Sequence, residues 1–249
     1  MTSAQLISWV VSAITFGTVI MFGCIGETIN QKAGNLNLGV PGIMQLGGIG
    51  ALTGAFIYES STATPNGTIG MICALLCAIL ASALGSLIYS FLTVTLKANQ
   101  NVTGLTLTIF GTGIANFFGG SLMKLSGGVG SISVATTANV FKLRLPFISG
   151  KLGLFGSLFL NYGWMAYFCL ILAFVANYFL TKTRTGLNLR AVGENPATAD
   201  AAGINVTKYK YLASIIGGAI CGLGGLFYVM DYIQGTWAND NTIEALGWL

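Results

Sequence analysis

Apolar stretches of twenty residues or more, parted by short polar ones, set the pattern of this chain. Runs without a charged residue cover 1–26, 33–58, 60–96, 98–123, 152–181 and 211–230. Each meets the roughly twenty residues that a helix needs to cross a hydrocarbon core. The pattern predicts spans near 6–26, 41–58, 68–95, 101–120, 164–180 and 211–230, with a seventh beginning near Ala245. The opening MTSAQLISWVV has no basic n-region, so it reads as a first span rather than a cleaved leader.

One polar island breaks the pattern. Residues 181–210 read TKTRTGLNLRAVGENPATADAAGINVTKYK and hold Lys182, Arg184, Arg190, Lys208 and Lys210, five of the eleven basic residues. The island also carries the signals of a short helix: Asn195 as N-cap, Pro196 at the first position, Asp200 in the first turn and Gly203 as the stop. Basic residues close to span ends mark a cytoplasmic loop. Counting back through the spans puts Lys97 and Lys32 on the same side, with Glu59 and the turn Thr64-Pro65-Asn66-Gly67 on the other. The outer loop 121–163 nevertheless carries Lys124, Lys142, Arg144 and Lys151.

A second irregularity lies between Gly34 and Gly54, where Asn35, Asn37, Pro41 and Gln45 stand among seven glycines. Proline removes a backbone donor and glycine loosens a helix, so this segment is expected to be kinked, broken or re-entrant. Two readings stay open for it, a tight packing corner or the wall of a substrate path. Small residues recur every four positions at Ala74, Ala78, Ser82 and Ser86, at Gly111, Ala115 and Gly119, and at Gly218 and Gly222. Such faces are where membrane helices pack, in this chain or against a second subunit.

Composition agrees: 54% hydrophobic and 7% charged residues are not those of a soluble domain. The fold class is therefore an all-α membrane protein, a polytopic bundle of about six to seven transmembrane helices with one broken or re-entrant Gly-rich segment. The net charge of +4 sits at span ends and points to topology rather than nucleic acid. There is no histidine, hence no histidine metal ligand or proton shuttle, and neither metal nor cofactor is expected. Cys24, Cys73, Cys77, Cys169 and Cys221 all fall in apolar spans and read as buried inert thiols. Glu27 and Asp231 lie at span ends and no acidic residue occupies a span centre, which argues against proton coupling. No phosphate-binding glycine loop is present, so an uphill transporter of this kind needs a motor on another polypeptide.

Two segments resemble a known family. Gly26-Glu27-Thr28-Ile29 with Ala33-Gly34-Asn35-Leu36-Asn37-Leu38-Gly39-Val40-Pro41-Gly42-Ile43-Met44 is similar to the early motif of bacterial ABC permeases for nucleosides and simple sugars. Arg190-Ala191-Val192-Gly193-Glu194-Asn195-Pro196, followed by Ala199 to Gly203 and Ile204-Asn205-Val206, resembles that family's cytoplasmic coupling segment. The likeness extends over nearly the whole chain. It implies the group related to ribose and branched-chain amino-acid permeases: multi-pass proteins of the bacterial cytoplasmic membrane, not themselves enzymes. These pair two permease subunits, as homo- or heterodimers, with two ABC ATPase subunits, and an extracytoplasmic solute-binding protein delivers substrate. Where the motif usually has an acidic residue, this chain has Pro41. Such permeases also continue for several spans beyond the residues found here as Gly247-Trp248-Leu249. The expectation is then a single permease domain, 1–249, lacking its C-terminal spans and unable to transport alone. Its Gly218–Gly222 face and Gly225 are expected to lie against lipid.

On this reading the loop 181–210 docks its short helix on the ATPase. Arg184, Arg190, Glu194 and Asp200 orient it by charge, Asn195, Pro196 and Gly203 shape it, and Ala197, Ala201 and Ala202 pack against the partner. An ordinary solvated loop is the plainer alternative. Polar uncharged residues in the spans suit a small neutral solute, a nucleoside or simple sugar, with Asn35, Asn37, Gln45 and Asn116 as path candidates. Thr53, Thr106, Thr108 and Thr112 are candidates too, although each can bond back to its own helix. A motor-independent carrier or channel, and a non-transporting fragment, remain the other readings.

Overall fold

In the computed structural model, residues 3–125, 132–142, 162–237 and 242–248 are described. The long helices are α1 (Ser3–Lys32), α2 (Val40–Ser61), α3 (Gly67–Ser90), α4 (Gln100–Leu125), α6 (Trp164–Lys182) and α9 (Val206–Phe227). π-helical turns extend α3 through Phe91–Thr95 and α9 through Tyr228–Tyr232. All six are long and apolar enough to cross a membrane. The protein is a polytopic all-α membrane protein, as expected. Shorter elements connect them: β1 (Ile132–Ser133), α5 (Ala135–Phe141), α7 (Arg184–Glu194), α8 (Pro196–Ala201), β2 (Thr236–Trp237) and α10 (Thr242–Gly247).

The spans fall close to their predicted places, with two differences of one cause. α1 runs on to Lys32 rather than stopping at 26, and α9 begins at Val206 rather than 211. Polar residues there do not end the helices, because Glu27, Asn30 and Ser214 find partners within the protein. The Gly-rich segment is broken, but only at residues 33–39; Gly42 to Gly54 lie in the unbroken α2. Pro41 sits in the first turn of α2, where its missing N–H leaves no bond unmade. The seventh element is the six-residue α10, whose Gly247 lies against Pro41 and whose Ile243 is buried beside Gly48.

α2 and α9 form the centre. In their apolar stretches 78% and 72% of residues are buried, against 17–39% in the other four spans, which leaves those four at the periphery of the described bundle. Their outward side chains are apolar, among them Leu80, Ile109, Phe117 and Phe174. Close approach is set by small residues, as van der Waals packing in a membrane requires. α9 meets α1 at Gly217–Gly26, α3 at Gly218–Ser86 and Gly222–Ser82, and α2 at Gly225–Met44. α2 meets α4 at Gly42–Gly111. The expectation that the Gly218–Gly222 face and Gly225 lie against lipid is thus wrong: α2 and α3 already fill them. Of the thiols, Cys169 and Cys221 are buried as expected, but Cys73 and Cys77 are only half-buried and Cys24 is exposed, lining two grooves.

Helix parity assigns two faces. Lys32, Lys97 and the segment 182–210 lie on one, tied together by Asn35 to Lys210 and by Thr95 to Tyr211. Glu59, the 62–66 turn, α5 and the β1–β2 pair lie on the other, where Glu59 accepts from the Thr137 N–H at 2.7 Å. Seven of the eleven basic residues are on the first face. Lys124 and Lys142 are on the second, and Arg144 and Lys151 lie outside the described residues.

Two outcomes follow. Gly225→Ala places a methyl group on the Met44 carbonyl and 2.8 Å from the Gly48 nitrogen, whereas Gly113→Ala meets nothing within 4 Å. Overpacking of this kind costs about 1–3 kcal/mol. Thermal unfolding in detergent is expected to show a lowered midpoint for the first substitution and one at or above the parent's for the second, since alanine is the better helix former; equal midpoints would refute the packing. Cysteines at Thr198 and Asn66 are expected to react with impermeant maleimide from opposite sides of the membrane, and labelling of both from one side of intact cells would overturn the parity.

Candidate functional site

The face of α1 spaced at three and four residues, Ile20, Gly23, Cys24, Glu27, Thr28 and Gln31, forms one wall of a cleft of about 400 Å³. The 33–39 connection supplies Leu36, Asn37 and Leu38, the start of α2 adds Val40, Pro41 and Met44, and Leu246 and Gly247 of α10 with the following Trp248 complete the lining. The size suits one small solute, and the mixture of an apolar lining with a few polar groups is that of ligand clefts in general. Its polar groups converge from two elements: the Glu27 carboxylate, the Thr28 hydroxyl and the Gln31 and Asn37 amides. The first of these is a hydrogen-bond acceptor, and the amides offer both donors and acceptors.

Irregular backbone in a membrane protein must have its polar groups satisfied by protein, and the connection beside the cleft shows how. Leu36 N–H donates to Gln100 Oε1 at 2.8 Å, and Tyr89, fully buried, donates its hydroxyl to the Leu36 carbonyl at 2.7 Å. Asn37 N–H donates to Glu27 Oε1 at 3.1 Å, Gly39 N–H to Asn37 Oδ1 at 2.8 Å, and Thr108 Oγ1 to the Leu38 carbonyl at 3.1 Å. Glu27 Oε2 accepts from Asn30 Nδ2 at 3.2 Å. Asn30 Oδ1 in turn accepts from Ser214 Oγ at 2.7 Å, and Asn35 Nδ2 reaches Ser214 Oγ at 3.1 Å and the Lys210 carbonyl at 3.3 Å. One polar network thus runs from the cleft carboxylate to the base of α9.

The 181–210 island is two helices rather than one. Thr183 caps α7 through its bond from Gly186 N–H, and Asn195 Oδ1 caps α8 by accepting from Thr198 N–H at 3.1 Å. Pro196 is the first residue of α8, as predicted. Gly203 stops it with φ +81°, and its N–H donates to the Asp200 carbonyl at 2.8 Å. Asp200 therefore lies in the last turn, not the first: α8 is only six residues long, and residue five of six is near its end. Pro196, Ala197, Asp200, Ala201 and Ala202 are exposed, while Ala199 is buried beneath them. Arg184 and Glu194 are exposed, and Arg190 is half-buried, lining a groove between α1 and α6. Gly34, with φ +78°, lies against Gly193 so closely that a Cβ would come within 3.1 Å of the Gly193 Cα. This backbone contact joins α7 directly to the connection that walls the cleft.

Of the four path candidates, the structure brings only Asn37 to the cleft. Asn35 is buried in the network below it, and Asn116 is half-buried on α4. Gln45 is buried in α2, where its Oε1 accepts no hydrogen bond from the described residues. Thr53 and Thr106 bond back to their own helices, Thr108 serves the connection, and Thr112 donates to Glu244 at 3.3 Å. Glu27, Thr28 and Gln31 are not among the sequence-predicted path candidates, because the predicted first span stops at residue 26. Their spacing with Ile20, Gly23 and Cys24 was the signal that could have placed them on one helical face.

The chain matches a protein-family model described as "Branched-chain amino acid transport system / permease component" over residues 9–247. It is 32% identical, over 96% of its own length and 67% of the relative's, to a Haloferax volcanii protein provisionally named glucose ABC transporter permease protein TsgC13. To the nucleoside ABC transporter permease protein NupC of Lactococcus lactis subsp. cremoris it is 29% identical, over 88% of this chain and 66% of that one. To the guanosine ABC transporter permease protein NupQ of Bacillus subtilis it is 28% identical, over 95% and 73%. It thus spans about two thirds to three quarters of these relatives' lengths. No solved structure matches it. With nearly every residue inside the matched region, the chain belongs to the family of permease components of branched-chain amino acid transport systems.

Proposed function

We propose that the chain is the membrane-spanning subunit of an ABC importer in the bacterial cytoplasmic membrane, passing a small neutral polar solute, a nucleoside or simple sugar, along a route that includes the Glu27–Asn37 cleft. ATP hydrolysis belongs to a separate ATPase subunit docked on α8, a second permease subunit completes the membrane pair, and an extracytoplasmic binding protein delivers the solute. The solute class rests on two supports: the names of the nucleoside and sugar permeases that the chain resembles, and a cleft whose amides and carboxylate suit hydroxyls and base N–H groups.

The observation that carries the reading is the contact of Gly193 with Gly34, reinforced by Asn35 on Ser214 and Lys210. It supports treating the basic segment and the cleft wall as one mechanical unit. Force applied to the exposed face of α8 passes through α7 and the start of α9 into residues 33–39. Those residues cannot move without shifting Leu36, Asn37 and Leu38 in the cleft. Arg184, Glu194 and Asp200 then orient the partner by charge, and Ala197, Ala201 and Ala202 form its small-residue seat. A motor-independent carrier has no use for such a linkage.

The test is co-purification with the ATPase and substrate-stimulated hydrolysis. Replacing Pro196 and Gly203 together removes the pre-set first turn and the left-handed stop of α8. ATPase association is expected to weaken about tenfold or more, as loss of about 1.4 kcal/mol implies, with membrane insertion unchanged. Equal association by variant and parent would remove the docking surface.

The cleft is tested separately. Glu27→Ala deprives the Asn37 N–H and the Asn30 amide of their acceptor, at about 1–3 kcal/mol for each donor left unmet. Solute uptake and the thermal midpoint are both expected to fall, and Glu27→Gln, which keeps one accepting oxygen, is expected to lie between. Parental uptake and midpoint in Glu27→Ala would sink the role given to this carboxylate.

A further inference from the structure

Between α1 and α6, on the basic side of the bundle, lies a second groove of about 440 Å³. It is sorted by chemistry along its length. Met21 and Ile25 of α1 face Ala173, Ala176 and Leu180 of α6, and the two small alanines opposite bulkier partners leave an apolar slot. At the other end the slot meets Lys32, Asn177, Thr181 and Arg190. Two cations and two neutral polar groups therefore stand together at the level where α1 and α6 end, with the Thr28 hydroxyl one turn before Lys32, and among the described residues no acidic one lines the groove.

α6 is the least buried span, with 17% of its apolar stretch inside the protein, so the groove opens among exposed apolar side chains. Phe174 and Tyr178, exposed by 76% and 65%, flank it on the α6 surface, and a tyrosine here is placed as aromatic residues are at the headgroup level. Arg190 reaches this place from α7, which lies outside the spans, and it is half-buried there rather than turned to water. A guanidinium offers a paired fork of donors that matches phosphate, and an ammonium adds a point charge.

We propose that this groove is a binding site for an anionic phospholipid, with the headgroup phosphate between Arg190 and Lys32 and an acyl chain along Ala173 and Ala176. Charge complementarity selects the occupant: two lysine or arginine side chains without an acidic counterpart favour a lipid of net negative charge over a zwitterionic one, and basic pockets between spans on the cytoplasmic side have this chemistry. The consequence is local. A lipid held by Arg190 of α7 and Lys32 of α1 fastens the first helix of the basic segment to the bundle, from the side opposite to the Gly34–Gly193 contact. The site requires neither solute nor ATPase, so it stands or falls apart from the transport reading.

The test uses the full chain extracted from membranes and native mass spectrometry with added phosphatidylglycerol or phosphatidylcholine. Each cation near the surface is worth about fivefold in affinity for anionic lipid. Phosphatidylglycerol is expected to be retained on the order of tenfold better than phosphatidylcholine, and a double Lys32→Gln, Arg190→Gln variant is expected to lose that preference. A fluorophore on Phe174→Cys, beside the slot and in a chain whose exposed Cys24 is replaced by serine, in vesicles carrying brominated lipid, gives a second reading that leaves the cations and the slot in place. Quenching by brominated phosphatidylglycerol is expected to exceed that by brominated phosphatidylcholine. Equal retention of the two lipids, an undiminished preference in the double variant, or displacement of the lipid by free glycerol phosphate would overturn the proposal. Disulfide formation between two Phe174→Cys chains with no quenching would overturn it in favour of a second copy covering the groove.

Discussion

The structure depends on closing the hydrogen bonds of seven residues, 33–39, that leave the helix between α1 and α2. A helix satisfies its own backbone; these residues cannot, and next to lipid an unmet peptide group is costly. Their partners come from across the bundle. Tyr89 on α3, Gln100 and Thr108 on α4, and Glu27 on α1 each serve a specific backbone group of the connection. Three spans are thereby held at fixed distances by polar bonds whose individual net worth is about 0.5–1.5 kcal/mol but whose absence leaves a buried group unsatisfied. The cleft exists because the connection is held open in this way instead of being wound into helix.

The bonds need short reach, and short reach needs small residues. α9 approaches α1 through Gly217 and Gly26 and α3 through Gly218 and Gly222, and that approach brings Ser214 to within 2.7 Å of Asn30. Lipid offers no hydrophobic gain for helix association, so contact area at close range, and the hydrogen bonds that it permits, must supply the difference. Glycine spacing and the polar clasp are therefore one device. A methyl group on Gly26 would meet the Gly217 carbonyl and Cys221, and the helix shift needed to admit it would draw Ser214 away from Asn30.

What was legible in the sequence is what depends on local physics. Charge-free length gave the six spans, and the caps at Asn195 and Gly203 gave the short helix, because both signals act within a few residues. Tertiary context hid the rest. Glycines 42–54 stay helical because Gly222 and Gly225 of α9 press on that helix at Gly47, Met44 and Gly48, and Gly111 of α4 presses on it at Gly42; none of this shows in the local pattern. Glu27 marked a span end by its charge, yet α1 continues for five more residues because Asn37 and Asn30 satisfy the carboxylate. The amides that looked equivalent in the sequence separate by what they touch. Asn37 faces the cleft, Asn35 serves the clasp, and Gln45 and Asn116 belong to neither.

Glu27 stands where the two uses of polarity meet. One oxygen holds the connection at Asn37, the other holds Asn30 and through it Ser214, and the same side chain lines the cleft. A solute that donated a hydrogen bond to this carboxylate would compete with the bonds that fix residues 33–39 relative to α9. Movement of α7 against Gly34 would act on the same bonds from the other side. Differential affinity for two arrangements of the connection is all that thermodynamic coupling between cleft and basic segment requires. Because linkage is reciprocal, the proposed coupling makes the carboxylate that holds the connection also the group through which an occupied cleft would be felt at α8.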